Sequence, residues 1–235
     1  MYSQDTWNSL GKQFSKYCKV HLIDLRNHGR SPHSADFNYE VMCEDILEFM
    51  EDNDISDPII LGHSLGGKVA MKFAFTHPDK IKKLIVADIS PRKYNTDFHQ
   101  NLLRNLYKLP LEDFDKREEI DEVLSSIYED KGMRLFLLKN LYRNENKEFA
   151  WRFNIEVLLE KVSNIQEADF IEGVCNIPTH FLRGGNSDYI NSTDELIINK
   201  HFSDFSIANI DGAGHWLHAE KPEQFYNEVM GFCLM

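Results

Sequence analysis

The feature that most constrains this chain is Gly62-His63-Ser64-Leu65-Gly66-Gly67. It stands directly after the apolar run Ile59-Ile60-Leu61 and directly before a helical stripe of Val69, Ala70, Phe73 and Ala74, which Pro78 closes. A strand that turns into a helix around one serine calls for an α/β sheet with crossover helices. Such a turn strains the backbone and crowds its neighbours, and glycine at 62 and 66 is expected to remove the colliding side chains. Ser64 then projects at the helix N-terminus, where the dipole and the Leu65 backbone N–H face any negative charge developing on a bound carbonyl oxygen. Glycines beside a serine also make ordinary turns. The strand before, the helix after and a histidine downstream are what make this pattern a catalytic expectation.

The rest of the chain keeps the same rhythm. β-Branched runs predict strands at Lys19–Leu25, Pro58–His63, Lys83–Ile89, Thr179–Arg183 and Phe205–Ile210. Helical periodicity places Trp7, Leu10, Phe14 and Tyr17 on one stripe, and Met42, Ile46, Phe49 and Met50 on another within Tyr39–Asn53. From Pro91 to Glu172 the pattern becomes charged and helical, with stripes such as Leu102, Leu103, Leu106 and Leu135, Leu138, Leu141, and shows no convincing strand. The expected organisation is therefore a core of 1–90 and 173–235 with a helical cap of 91–172 inserted between two of its strands.

A serine hydroxyl needs a base within hydrogen-bond reach to act as a nucleophile. Of ten histidines, His215 has the strongest context, in Gly212-Ala213-Gly214-His215-Trp216 after the last strand. Those glycines permit a tight loop over the carboxyl edge of the sheet, where open α/β folds place their sites. His218 is close by, but with no third ligand no metal is expected, so it is assigned to packing or surface. His63 is expected to line the site, and His28, His33 and His77 carry no signal beyond their loop positions. Two carboxylates can orient the imidazole: Asp88 ends its strand after Leu84-Ile85-Val86-Ala87, and Asp188 follows the next strand in Gly185-Asn186-Ser187-Asp188. Asp211 lies too near His215 in sequence to face it and ranks third. The order Ser, Asp, His along the chain suits this architecture.

These residues resemble the α/β-hydrolase family over essentially the whole chain, and within it the small YbfF-type esterases and their mitochondrial relatives. The matching stretches are Asp24-Leu25-Arg26-Asn27-His28-Gly29-Arg30-Ser31, Gly62–Lys68, Val86–Pro91, Gly184–Ser187 and Gly214–Pro222. The resemblance implies hydrolysis of carboxylic esters or acyl thioesters through an acyl-enzyme, under a helical cap. The subgroup's acid maps onto Asp88 and the broader family's onto Asp188, so the resemblance favours Asp88. A serine at 64 disfavours the branches with an aspartate nucleophile. The family also places strands and a His-Gly oxyanion loop ahead of the first helix seen here, and nothing in this chain matches them. Met1 is therefore expected to be a late start and the sequence an N-terminally clipped copy.

Composition bounds the partners. A formal net charge of −12 argues against nucleic acid and anionic membranes, and 42% hydrophobic residues suffice for a buried core. No apolar run is long enough for a membrane span and the start is not a signal peptide, so a cytoplasmic location is expected. Four scattered cysteines, Cys18, Cys43, Cys175 and Cys233, suggest buried thiols rather than a disulfide framework. The expected ligand is a small-molecule acyl ester or thioester, with no cofactor. Phe149, Trp151, Phe153 and Leu158 are candidates for an acyl pocket or for the cap's own core, and Trp216 for substrate contact. Against the hydrolase stands a non-catalytic relative that binds a ligand or partner. Oligomeric state, acyl length and ester-versus-thioester preference stay open.

Overall fold

The computed structural model describes residues 6–95, 97–163, 165 and 172–235. Part of the expected cap range, 96, 164 and 166–171, lies outside the described residues. In chain order the elements are α1 (Asn8–Phe14), α2 (Tyr39–Asp52), β1 (Ile59–His63), α3 (Leu65–Thr76), β2 (Lys83–Ala87) and α4 (Asp97–Tyr107). They continue through α5 (Arg117–Ser125), α6 (Lys131–Leu138), β3 (Leu141–Arg143), β4 (Phe149–Trp151) and α7 (Ile155–Lys161). The chain closes with β5 (Thr179–Gly184), α8 (Ser192–His201), β6 (Phe205–Ile210), α9 (Leu217–Glu220) and α10 (Pro222–Leu234).

The chain divides into two compact units. One contains Ser9–Val20, Asn38–Asn95 and Ser163–Met235, and is built on a parallel sheet of order β1-β2-β5-β6. Its inner strand β2 has Leu84, Ile85, Val86 and Ala87 all at 0% exposure, the fully apolar character of a strand covered on both faces. Each such Leu, Ile or Val contributes roughly 1.5–3 kcal/mol on burial. The register pairs His63 with Ala87, Ala87 with Leu182, and Gly184 with Ile210. One carboxyl edge thus presents the residues after β1, β2, β5 and β6 together. The helices pack through the expected stripes: Met42, Ile46 and Met50 of α2, and Val69, Ala70, Phe73 and Ala74 of α3 are buried. Asn38 starts α2 by accepting the Val41 N–H on its side chain (2.9 Å).

The other unit contains His21–Phe37 and Thr96–Val162. It holds α4 to α7 together with a short antiparallel pair, β3–β4, where the sequence pattern showed no strand. Three residues per strand are too few for an alternation to register. Leu102, Leu103 and Leu106 of α4 point inward as expected, and Leu138 and Leu141 are buried as expected, but Leu135 is 48% exposed and Met133 and Leu137 complete the buried face of α6. Phe149, Trp151, Phe153 and Leu158 are buried within this unit. Trp151 stacks on Phe153 (5.2 Å between ring centres), and its indole N–H donates to Leu106 O (3.3 Å).

Two further expectations are corrected. Lys19–Leu25 forms no strand, because among the described residues no strand pairs with it. β-Branched composition favours a strand only where a neighbour completes the hydrogen-bond ladder. Tyr17 lies beyond the end of α1 and is 65% exposed rather than on a buried stripe. Of the cysteines, Cys43 and Cys175 are buried whereas Cys18 is exposed. Among the described residues no helix is long and apolar enough to cross a membrane.

The stretch Asp24–Ser31 folds as a tight loop. The Asp24 carboxylate accepts the Arg30 N–H (2.8 Å) and fills the space a side chain at Gly29 would need, while Gly29 adopts φ +57°. His28 is buried, and its Nδ1–H donates to Arg26 O (3.0 Å). Burial is the main cause that pushes the His28 pKa down to about 3. Burial likewise holds His63 well below the usual imidazole range, with His215 and His218 adding to the effect. Between those lowered values and about 6.5, the unfolded chain binds protons that the native histidines refuse, so stability falls as pH drops through this window. Urea unfolding is expected to lose up to about 1.4 kcal/mol per pH unit for each histidine on going from pH 6.5 to pH 5. An unchanged midpoint would show that these imidazoles are solvated.

Candidate active site

Ser64 occupies the single residue between β1 and α3, with φ 53° and ψ −119°. A non-glycine residue held there costs on the order of 1–3 kcal/mol and persists only where its surroundings over-determine it. The surroundings here are close. The Ser64 N–H donates to Ala87 O (3.1 Å), and a side chain at Gly62 would overlap the Gly66 carbonyl. Gly67 is the second tight position, since a Cβ there would lie 2.6 Å from Ile89 Cγ2, whereas Gly66 faces open space. The crowding expected at Gly66 is thus found at Gly67, where the helix crosses β2. Leu65 opens α3, so its backbone N–H has no intrahelical acceptor.

Asp88 leaves β2 with a second strained backbone, φ 48°, and is wholly buried. Its carboxylate gathers three donors. Oδ1 accepts the Gly184 N–H (2.9 Å), while Oδ2 accepts the Ser187 hydroxyl and the His215 Nδ1–H (2.8 Å). An acceptor at Nδ1 requires the proton on that nitrogen, which leaves the His215 Nε2 lone pair as a base. Asp188 is exposed, and its printed contact is through its backbone oxygen, which accepts from Arg92 Nη2 (3.3 Å). Asp211 is exposed and bonds the Asn209 amide. The carboxylate that meets His215 is therefore that of Asp88.

The His215 loop is tied down at both ends. Gly212 adopts φ +69°, Asn186 N–H donates to Ala213 O (2.8 Å), and Gly214 N–H donates to the Glu220 carboxylate (2.8 Å). Buried His63 donates from Nε2 to His215 O (2.7 Å), and its ring lies 4.6 Å from the His215 ring. His218 is buried with its ring 4.9 Å from His63, a packing role. Trp216 is half-buried and caps α9, and its carbonyl accepts from Ala219 and Glu220. The Ser64 side chain makes no hydrogen bond among the described residues. Trp151 belongs to the other unit, where its ring and N–H are used as described above.

Two residues of this site have no signal of their own in the sequence. Ser187 was visible only as part of a matching stretch, and its hydroxyl caps Asp88. Tyr189 stacks on His215 with ring centres 3.9 Å apart and planes 18° apart. Neither contact has a sequence signature, since each depends on how the loop after β5 folds back over β2.

A family model described as alpha/beta hydrolase fold matches residues 3–222. The chain belongs to the α/β-hydrolase family. Among its relatives, the mouse (Mus musculus) protein named sn-1-specific diacylglycerol lipase ABHD11 is 34% identical over 98% of this chain and 77% of its own length. Esterase YbfF of Escherichia coli is 31% identical over 94% of this chain and 85% of its own. A solved structure titled marine microorganism esterase superposes with a TM-score of 0.94 at 41% identity, covering 98% of this chain and 90% of that one. This α/β-hydrolase thus falls in the YbfF and ABHD11 branch, whose chemistry is carboxylic ester hydrolysis.

Proposed function

We infer that this α/β-hydrolase cleaves carboxylic esters or acyl thioesters by an acyl-enzyme route, with Ser64 as nucleophile, His215 as base and Asp88 as the acid that orients it. The observation that carries the reading is the 2.8 Å bond from His215 Nδ1–H to the buried Asp88 carboxylate, on the sheet edge that also holds the strained Ser64. Ser64 Oγ attacks the acyl carbon as His215 Nε2 takes its proton. Leu65 N–H and the α3 N-terminus meet the oxyanion. His215 returns the proton to the departing alcohol or thiol, which leaves the acyl group on Ser64. Water then attacks that ester, again deprotonated by His215, and the carboxylic acid is released with Ser64 restored. His63 holds the loop of the base through its bond to His215 O, and Trp216 stands beside the base as a candidate substrate contact. Trp151 is a candidate substrate contact by its place in the sequence, with its ring stacked on Phe153.

The test is a fluorophosphonate probe followed by peptide mass mapping, with turnover of short acyl esters, an acyl thioester and a diacylglycerol. An adduct on Ser64 with ester turnover is expected. Folded protein with no adduct and no turnover would favour the non-catalytic binding reading.

A further inference from the structure

We propose that Tyr189 is a positioning residue for the base, its ring holding the His215 imidazole in plane and favouring the protonated form generated when Ser64 attacks. The inference rests on the triad reading above and adds to it a residue that acts through His215. Rings 3.9 Å apart and 18° from parallel leave the imidazole little freedom to tilt. The other groups that face it are the Asp88 carboxylate at Nδ1 and the His63 ring, with His218 beyond His63. His63 is kept neutral by burial, and an aromatic face attracts a cation stacked on it. Burial, with Asp88 adding, raises the Tyr189 phenol above its usual range, so this ring is itself uncharged at neutral pH.

Tyr189 is built to stay where it is. Its carbonyl accepts the Tyr94 hydroxyl (2.5 Å), which in turn accepts the Ser90 N–H (2.8 Å), and the two tyrosine rings lie 5.4 Å apart. The Arg92 guanidinium covers Tyr94 (3.9 Å) and its Nη2 donates to Asp188 O. Arg92 Nε pairs with Asp194 (2.7 Å), a wholly buried carboxylate that also accepts the Ser90 hydroxyl (2.6 Å) and the Asn191 N–H (2.9 Å). The segment after β2 therefore grips the stretch after β5 at Asp188, Tyr189 and Asp194. Such a network orients a ring that the reaction does not consume.

The experiment compares Tyr189→Leu and Tyr189→Phe in kcat, KM and the pH–rate profile. Loss of a cation–π partner predicts a fall in kcat of about tenfold for Tyr189→Leu, with KM little changed and the acid limb moved about one pH unit lower. Tyr189→Phe keeps the ring and is expected to stay within about twofold, with its acid limb unmoved. An unshifted acid limb in Tyr189→Leu, or a phenylalanine variant as impaired as the leucine one, overturns the proposal. Should Tyr189→Leu fail to fold, proton NMR of the unmodified enzyme decides instead. The His215 Cε1–H resonance, assigned with His215→Gln, must show an upfield ring-current shift, and its absence overturns the stack. His215→Ala separates the two readings. If that variant keeps its turnover the triad reading fails, whereas its full loss beside an unaffected Tyr189→Leu sinks only the role of Tyr189.

Discussion

Ser64→Ala is expected to lower kcat on a reactive ester by about a million-fold, the order seen when a serine hydrolase loses its nucleophile. The reason lies in the site's division of labour. Leu65 N–H, the α3 dipole and the loops can still bind a carbonyl and polarise it, but no bond to the acyl carbon can form at residue 64. KM should therefore change little while kcat collapses. Because Ser64 already sits at φ 53°, an alanine there is strained to a similar degree, so thermal unfolding should move little. Turnover that survives at more than about a thousandth of the original, in protein free of contaminating esterase, would remove Ser64 from the mechanism.

Asp88→Asn should lower kcat by about ten-thousand-fold, whereas Asp188→Asn should stay within a few-fold. The hydrogen bonds explain the difference. Asp88 receives donors at both oxygens, from Gly184 N–H at Oδ1 and from Ser187 and His215 at Oδ2. An asparagine can match the Gly184 N–H only by turning its own NH2 toward Ser187 and His215. Facing a donor, His215 must carry its proton on Nε2, the nitrogen that has to accept from Ser64. The imidazole stays in place but in the wrong tautomer. Asp188 instead points its carboxylate to solvent and touches the network through its backbone oxygen, which the substitution leaves intact. Comparable losses from both changes, or a larger loss at Asp188, would mean that the loop after β5 rearranges to supply the acid.

Local sequence determined what local physics governs. An apolar run, a glycine-flanked serine and a helical stripe sufficed to place the elbow at Ser64, because strand, turn and helix there are adjacent in the chain and each has a period or a steric demand of its own. The glycine-bracketed His215 was legible for the same reason, as were the strands at β1, β2, β5 and β6. Tertiary structure decided everything that depends on which segments become neighbours. Lys19–Leu25 has strand-like composition but no ladder partner among the described residues. Leu137 rather than Leu135 faces inward because the surrounding helices, not the stripe, define that unit's interior. Gly67, not Gly66, meets β2, since the contact depends on where α3 crosses the sheet. The choice between Asp88 and Asp188 was open in one dimension because both follow strands that end on the same edge. In three dimensions the register of β2 on β5 sets Asp88 against Gly184 N–H and the loop after β5 folds Ser187 onto Asp88 and Tyr189 onto His215, which is what supports Asp88 as the proposed acid. Those contacts join residues far apart in sequence, and no spacing rule encodes them.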